Sequence, residues 1–269
     1  MAKNKERLDK LLVARGLVAT RSKAQGIILA GEVLVDGARV DKPGTAVSTE
    51  AAIELKAALP YVGRGGFKLA GALAAFELDV VGAVCADVGA CTGGFTDVLL
   101  QNGAARVYAI DVGYGQLDWS LRQDERVVVM ERTNARYLET LGEPVDFVAI
   151  DVSFISLRLI LPVVKQWLAE SASIVALIKP QFEAGPKQVG RGGIVKDTAV
   201  HRAVLEELWH WFRDHDFGVQ GLVASSVTGA DGNVEFLVWL KVGVADGVAE
   251  TAVDDVLSHI ASADGPVDA

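Results

Sequence analysis

The segment Asp87-Val88-Gly89-Ala90-Cys91-Thr92-Gly93-Gly94-Phe95-Thr96 restricts the fold more than any other part of the chain. The apolar run 83–86 before it reads as a buried strand, and residues 95–100 after it read as a helix. A strand, a glycine-rich turn and a helix at the start of an α/β pattern make a site for a nucleotide-like ligand. Glycines there let the backbone approach the ligand where a Cβ would clash. Gly89, Gly93 and Gly94 give the spacing G-x-x-x-G-G. This is neither the dinucleotide fingerprint G-x-G-x-x-G nor the phosphate loop G-x-x-x-x-G-K-[ST]. Asp87, at the strand's end, would repel a diphosphate. The turn therefore suits a ligand with a cationic end and no phosphates. S-adenosylmethionine, with its α-ammonium and sulfonium, fits that description, and Phe95 opens the helix beside it.

A second strand should complete the site. The run 106–110 ends in Asp111, 17 residues after Gly94. The acid that ends the second strand of an open α/β sheet accepts hydrogen bonds from ribose hydroxyls. The alternative is that Asp87 and Asp111 only cap loops. Cys91 reads as a small turn residue. Asn134, after the third strand, is placed either near the adenine or as a helix N-cap.

Composition agrees with an intracellular enzyme, expected in the cytoplasm. The 269 residues suit one large domain and a small one, and at 51% hydrophobic the chain can bury a sizeable core. No apolar run approaches the roughly 18 to 20 residues of a membrane span, so no membrane partner is expected. Met1-Ala2-Lys3-Asn4-Lys5-Glu6-Arg7 has no apolar stretch behind it and is not a secretory signal. Cys85 and Cys91, with no histidine cluster nearby, suggest neither a disulfide framework nor a metal site. Nothing demands self-association, so a monomer is expected.

The net charge of −9 hides an asymmetry. Residues 1–62 carry ten Lys and Arg against seven Asp and Glu, and the remainder 16 against 28. A small basic module ahead of a large acidic one suits contact with nucleic acid phosphates. In that module Leu8, Leu11 and Leu12 share one face of a first helix, which Gly16 ends. Thr20 is placed to cap a second helix, buried by Ile27, Ile28 and Leu29 and ended by Gly31. Residues 32–40 read as a hairpin around Asp36-Gly37, and 52–55 as a further strand. This order resembles the αL-type RNA-binding domain of a small-subunit ribosomal protein and many RNA-modifying enzymes. The resemblance implies that Arg7, Arg21, Ser22, Lys23 and Gln25 face RNA, gripping phosphates and shape.

The small α+β domain is assigned to residues 1–58 and a linker to 59–66. The α/β domain spans 67–248, and a C-terminal helix with a frayed tail 249–269. Helices are expected at 67–76, 156–168, 198–214 and 249–261, with Ser262 opening the tail. Strands are expected at 83–87, 105–111, 126–130, 145–151, 173–178, 219–227 and 234–242. The last two enclose Gly229-Ala230-Asp231-Gly232-Asn233 as an antiparallel hairpin. A mostly parallel sheet with such a hairpin at its edge is the Rossmann-like methyltransferase arrangement.

Ligands bind at the carboxyl ends of the strands in these sheets. Asp151 ends one strand and Lys179 another. An ammonium directly after an apolar strand is costly unless paired, so Lys179 is either half of a structural ion pair with Asp151 or a reactive group. Lys68, on the helix before the first strand, could supply a neighbouring cation that eases deprotonation of Lys179. Glu235, at the start of the last strand, could point into the same cleft. The set Lys68, Asp151, Lys179 and Glu235 resembles the Lys-Asp-Lys-Glu tetrad of the FtsJ-like ribose 2′-O-methyltransferases. Gly65-Gly66-Phe67-Lys68-Leu69, the 87–96 segment, Asp151-Val152-Ser153-Phe154 and Lys179-Pro180-Gln181-Phe182-Glu183 resemble one subgroup, the TlyA family, known under both haemolysin and rRNA 2′-O-methyltransferase names. The likeness implies S-adenosylmethionine as donor and a cytidine 2′-hydroxyl in small- or large-subunit ribosomal RNA as acceptor. It also implies catalytic roles for the tetrad, with Lys179 as general base. Arg64 and the glycine-rich basic loop 183–197, with Lys187, Arg191 and Lys196, are expected to touch RNA, the loop as a mobile flap or else as a plain surface loop. A non-catalytic RNA-binding assembly factor and a membrane-active haemolysin are the rival readings.

Overall fold

The computed structural model describes residues 4–18, 20–29, 31–55, 60–229 and 232–263. The chain divides into two units, residues 1–60 and 61–269. The first contains β1 (Lys5–Arg7), α1 (Leu8–Ala14), α2 (Arg21–Leu29), β2 (Val33–Val35), β3 (Ala38–Arg39), β4 (Ala46–Ser48) and β5 (Ile53–Leu55). β2 pairs antiparallel with β3 and β5, and β1 with β4. The Asp36-Gly37 turn has positive φ at both residues, 50° and 79°, the conformation that matches the twist of a two-residue hairpin. Leu8, Leu11, Leu12, Ala24 and Ile28 bury the helices against this small sheet. Leu29 is the exception to the expected face, 66% exposed. Thr20 does accept the Lys23 backbone N–H at 3.2 Å.

The polar centre of this unit is a carboxylate. Asp9, in the first turn of α1, is fully buried. Its Oδ1 accepts from Arg7 Nε at 3.0 Å. Its Oδ2 accepts from Arg7 Nη2 at 2.9 Å, Arg21 Nε at 2.9 Å and Gln25 Nε2 at 3.1 Å. These bonds link the start of α1 to α2 and satisfy a charge that burial would otherwise penalise.

The second unit begins with α3 (Gly65–Ala75), so Gly65 and Gly66 are helical rather than linker. Residues 56–58 at the end of the expected small domain and residue 59 of the expected linker lie outside the described residues. There follow β6 (Val84–Val88), α4 (Gly94–Gln101), β7 (Arg106–Ile110), α5 (Trp119–Arg122), β8 (Val127–Met130), β9 (Val145–Ile150), α6 (Leu157–Val164), β10 (Leu168–Ile178), α7 (Pro180–Glu183), α8 (Thr198–Asp214), β11 (Phe217–Ala224), β12 (Phe236–Val242) and α9 (Ala252–Ala263). The seven strands run β11-β12-β10-β9-β6-β7-β8. The five from β10 to β8 are parallel, and β12 and β11 run antiparallel at one edge. This is the expected mostly parallel sheet with an antiparallel hairpin at its edge.

Several boundaries differ. α6 stops at Val164 and gives way to a 3-10 turn before β10, which starts five residues earlier than its apolar run suggests. The β11–β12 connection occupies 225–235 rather than a tight turn, with 230–231 outside the described residues. α9 continues through Ala263; the remainder of the expected frayed tail lies outside the described residues.

Side chains alternate across the sheet with period two. Ala86, Val88, Val148, Ile150, Ala176 and Ile178 pack against α6, α8 and α9. Cys85, Val107, Ala109, Phe147, Ala149, Val175 and Leu177 pack against α3 and α4. Burial pushes the Cys85 thiol up to about 12. Asp87 falls on the α3–α4 side by the same alternation.

The two Arg7 hydrogen bonds hold the Asp9 carboxyl well below the usual carboxylate range. A group shifted this way adds stability above its unfolded pKa, about 3.9, and loses it as pH falls towards the folded value. Asp9→Asn should therefore reduce protection of the α1 amides against hydrogen exchange at neutral pH. It should also flatten the decline in protection that the parent chain shows below about pH 4. Equal protection in both chains would show that the carboxylate contributes nothing.

Candidate active site

The carboxyl ends of β6, β7, β8 and β9 surround a cleft of about 510 Å³. Val88, Ile110, Ala135 and Ile160 give it apolar walls, and Asp111, Gln116, Thr133 and Asn134 line its polar side. A second cleft, about 190 Å³, lies between the start of α3 and the 227–229 segment. Arg64, Lys68, Gly94, Phe95 and Thr228 line it. Gly89, Cys91 and Asp151 line both.

The glycine-rich turn takes its shape from backbone crowding. Gly89 has φ +92°, and a Cβ there would lie 2.2 Å from the Asp151 carbonyl oxygen. Gly93 caps α4 in the left-handed conformation, φ 97°. Cys91 also has positive φ, 49°, and donates its backbone N–H to Asp111 Oδ2 at 2.8 Å. Asp111 Oδ1 accepts from Gly113 N at 2.6 Å. Each carboxylate oxygen has two lone pairs, so Asp111 caps its loop and keeps acceptor capacity on the cleft.

Asp87 corrects the reading that set it facing a ligand. It is fully buried and lines neither cleft. Its Oδ2 accepts from Thr96 N at 2.8 Å and Thr96 Oγ1 at 2.6 Å, inside the first turn of α4. Oδ1 has no hydrogen-bond partner. Burial pushes the carboxyl up to about 7, against the pull of the two Thr96 bonds. Asp87 thus braces the turn from beneath. Asn134 lines the large cleft, and as N-cap of a 3-10 turn its Oδ1 accepts from Arg136 N at 3.1 Å.

Lys68, Asp151, Lys179 and Glu235 form two ion pairs. Lys179 Nζ lies 2.6 Å from Asp151 Oδ1 and donates to Ser153 Oγ at 2.9 Å. Lys68 Nζ lies 2.5 Å from Glu235 Oε2. Gln181 Nε2 reaches the other Glu235 oxygen at 3.4 Å. Lys68, Lys179 and Glu235 are buried, with Glu235 only 2% exposed. Lys68 is thus neutralised by Glu235 rather than left as a bare cation beside Lys179. Ser153 and Gln181 were not singled out from the sequence. Their signal was position, since each follows a strand-end charge by two residues.

The residues expected to meet RNA divide. Arg7, Arg21 and Gln25 converge on Asp9, while Ser22 and Lys23 stand exposed on the first turn of α2. Arg64 is exposed at the mouth of the smaller cleft. Lys187, Arg191 and Lys196 are exposed on the loop after α7. That loop is anchored rather than free throughout. Asn233 Oδ1 accepts from Val195 N at 3.0 Å, Asn233 Nδ2 donates to the Gly193 carbonyl at 3.1 Å, and His201 Nε2 lies 3.0 Å from the Val195 carbonyl. No run or spacing in the sequence marks Asn233 or His201 for this.

Comparison with known proteins follows the same division. Residues 61–242 match the FtsJ-like methyltransferase family, and residues 6–53 match the S4 domain. The chain is an FtsJ-like methyltransferase carrying an S4 domain at its N-terminal end. It is 46% identical over 272 residues to the 16S/23S rRNA (cytidine-2′-O)-methyltransferase TlyA of Mycobacterium tuberculosis, covering 97% of this chain and 98% of that one. With YqxC of Bacillus subtilis the identity is 51% over 245 residues, 89% of this chain and 87% of the relative. A Streptococcus thermophilus structure solved under a hemolysin name superposes with a TM-score of 0.75, at 45% identity and 97% coverage of both chains. The chain belongs to the TlyA family.

A buried ion pair tolerates loss of one partner poorly, because the other charge is left desolvated. Glu235→Ala should lower the unfolding free energy of the chain by about 3–5 kcal/mol, read from urea denaturation. A loss under about 1 kcal/mol would mark the Lys68–Glu235 pair as solvated like a surface pair.

Proposed function

We propose that this protein transfers the methyl group of S-adenosylmethionine to the ribose 2′-hydroxyl of a cytidine in ribosomal RNA of the small subunit, the large subunit or both. The observation that carries the reading is Asp151. Asp151 lines both clefts, and its Oδ1 lies 2.6 Å from Lys179 Nζ. The family and the printed name of the Mycobacterium tuberculosis relative support the reaction class and the acceptor. On this reading the partners are ribosomal subunits in the cytoplasm and the protein acts as a monomer. Among the described residues no helix is long and apolar enough to cross a membrane.

The large cleft fits the donor by the chemistry of its walls. Its volume lies within the range of about 300–1,000 Å³ usual for small-molecule sites. Val88, Ile110, Ala135 and Ile160 suit a flat heterocycle, Asn134 its polar edge, and Asp111 the ribose hydroxyls. Gly89, with Gly94 and Phe95 at the start of α4, would border the methionine end. When bound, the donor supplies a methyl group on a sulfonium, which is electrophilic already and asks mainly for in-line alignment.

The chain's own residues supply the rest. A neutral Lys179 amine can donate its two N–H bonds to Asp151 Oδ1 and Ser153 Oγ. Its lone pair then faces the remaining tetrahedral direction, where a ribose hydroxyl can give up its proton. The ammonium that forms is stabilised by Asp151, so charge develops beside a preplaced counter-charge. Such proton removal contributes about 10² to 10⁴ in rate. Lys68 and Glu235, on the smaller cleft's side, would hold the acceptor ribose without adding net charge. Arg64, Lys187, Arg191 and Lys196, together with Arg7, Arg21, Ser22, Lys23 and Gln25 of the S4 domain, would grip RNA phosphates.

The test is incubation with tritiated S-adenosylmethionine and each unmodified ribosomal subunit, with the label mapped by nuclease digestion and mass spectrometry. Label on a cytidine 2′-oxygen is expected. Lys179→Ala should nearly abolish it while leaving donor binding within a few-fold by calorimetry; a fully active variant would remove Lys179 from the reaction. Donor binding without label on either subunit would favour the RNA-binding assembly factor. Gly89→Ala should weaken donor binding more than tenfold, because the added Cβ must displace the Asp151 carbonyl; unchanged affinity would put the donor elsewhere.

A further inference from the structure

Glu183 is a buried carboxylate to which the transfer chemistry assigns no part. Its side chain is 2% exposed. It sits at the end of α7, four residues beyond Lys179. Its Oε2 accepts from Ser156 Oγ at 2.6 Å, and its Oε1 accepts from Leu157 N at 2.7 Å. Ser156 is the N-cap of α6, and Leu157 is its first residue. The carboxylate therefore satisfies an N–H that α6 cannot pair internally. It also places negative charge at the positive end of that helix. Arg158 Nη1 stands 3.9 Å from Oε2 and also faces Glu207. Burial raises the Glu183 pKa while the Ser156, Leu157 and Arg158 contacts lower it.

Two strand ends are closed into a ring by these contacts. One segment leaves β9 through Asp151, Ser153, Phe154 and Ser156. The other leaves β10 through Lys179, Phe182 and Glu183. They touch at three successive levels. Lys179 meets Asp151 and Ser153, Phe182 meets Phe154 with ring centroids 4.8 Å apart, and Glu183 meets Ser156 and Leu157. Phe154 has φ 63°, a conformation that a bulky residue holds only under external constraint. Within the β10 arm the regular structure is α7, a single turn.

We propose that Glu183 is a positioning residue that clasps the two strand ends together and so fixes Lys179 against Asp151 and Ser153. The catalytic consequence rests on the transfer reaction proposed above; the geometric one does not. Glu183 lines neither cleft, so any effect on the reaction passes through the two strand ends it joins. A misplacement of about 1 Å at a reacting group can cost on the order of 10²-fold in rate.

The experiment uses the full chain carrying Glu183→Ala, Glu183→Gln or Ser156→Ala. Each is acetylated with limiting acetic anhydride, and modification of individual lysines is read by mass spectrometry. Lys68 is the internal control, because it pairs with Glu235 Oε2 at 2.5 Å and the β10 arm reaches Glu235 only by the 3.4 Å Gln181 contact with the other oxygen. In Glu183→Ala, Lys179 should react several-fold faster than in the parent chain while Lys68 is unchanged. Ser156→Ala should shift Lys179 less, in the same direction. Glu183→Gln should stay near the parent, since its amide oxygen can accept from Leu157 and its amide nitrogen can donate to Ser156. On ribosomal subunits the alanine variant should lose kcat with KM for donor and RNA unchanged. Equal acceleration of Lys68 and Lys179 would reduce Glu183 to general stability, and no acceleration in any variant would overturn the clasp. A parent chain that labels no RNA would sink the transfer reaction, and the acetylation pattern would still decide the clasp.

Discussion

The site depends on the approach of two stretches of backbone, Gly89 against the carbonyl of Asp151. Beyond the last regular pair of β6 and β9 the ladder continues, with Asp151 N donating to the Val88 carbonyl at 2.9 Å. On the other side Gly89 N and Ala90 N both donate to the Ile110 carbonyl, at 2.9 and 3.1 Å. Three strand ends are thereby stitched by main-chain bonds, and only a residue without a side chain can pass between them. Where Asp151 lies relative to the turn is settled by the backbone. The side chains of Asp151 and Lys179 are then added to a frame held by main-chain bonds, with Asp111 fastening the turn at Cys91 N. Asp87 reinforces that frame from the α4 side, at the expense of an acceptor oxygen with no partner.

Much of this was legible because charge after an apolar strand is conspicuous. Lys179 follows five buried residues of β10 and Asp151 follows four of β9, and a desolvated charge requires a reason. The pairing of Lys179 with Asp151 was legible too, but that of Lys68 with Glu235 was not. Lys68 and Glu235 are 167 positions apart, and only the insertion of β12 between β10 and β11 brings them together. Asp87 shows the opposite limit. Period two puts its side chain on the α3–α4 face, yet its strand-end position suggested a ligand contact. The alternation was the stronger physical signal, because a one-residue change of register would have exposed the whole apolar set.

The fold was recovered where elements are long and apolar, and lost where they are short. The parallel strands and α8 follow from hydrophobic runs. β1 and β4 have three residues each, too few to show alternation, and they exist through pairing with one another. The segment 183–197 reads from its glycines as a mobile flap or a plain surface loop. One buried amide, Asn233, arriving from 38 or 40 positions away, pins it at Val195 and Gly193. Composition registers local preference, and a single distant hydrogen-bonding side chain can override it.

The Asp9 hub has a consequence for the thermodynamics of any phosphate that reaches the S4 domain. Arginine and glutamine side chains are among the costliest to immobilise, up to about 1.5–2 kcal/mol each in lost rotamer freedom. Arg7, Arg21 and Gln25 are already tied to one internal anion during folding, while the two guanidinium groups stay half exposed. Their unused donors are presented as a rigid array, and an incoming polyanion does not have to order them. Two arginines sharing one carboxylate also display less net charge than their number suggests. Association through this face would then lean on shape and preset geometry more than on counterion release, and its affinity would fall less steeply with ionic strength than a count of basic residues implies.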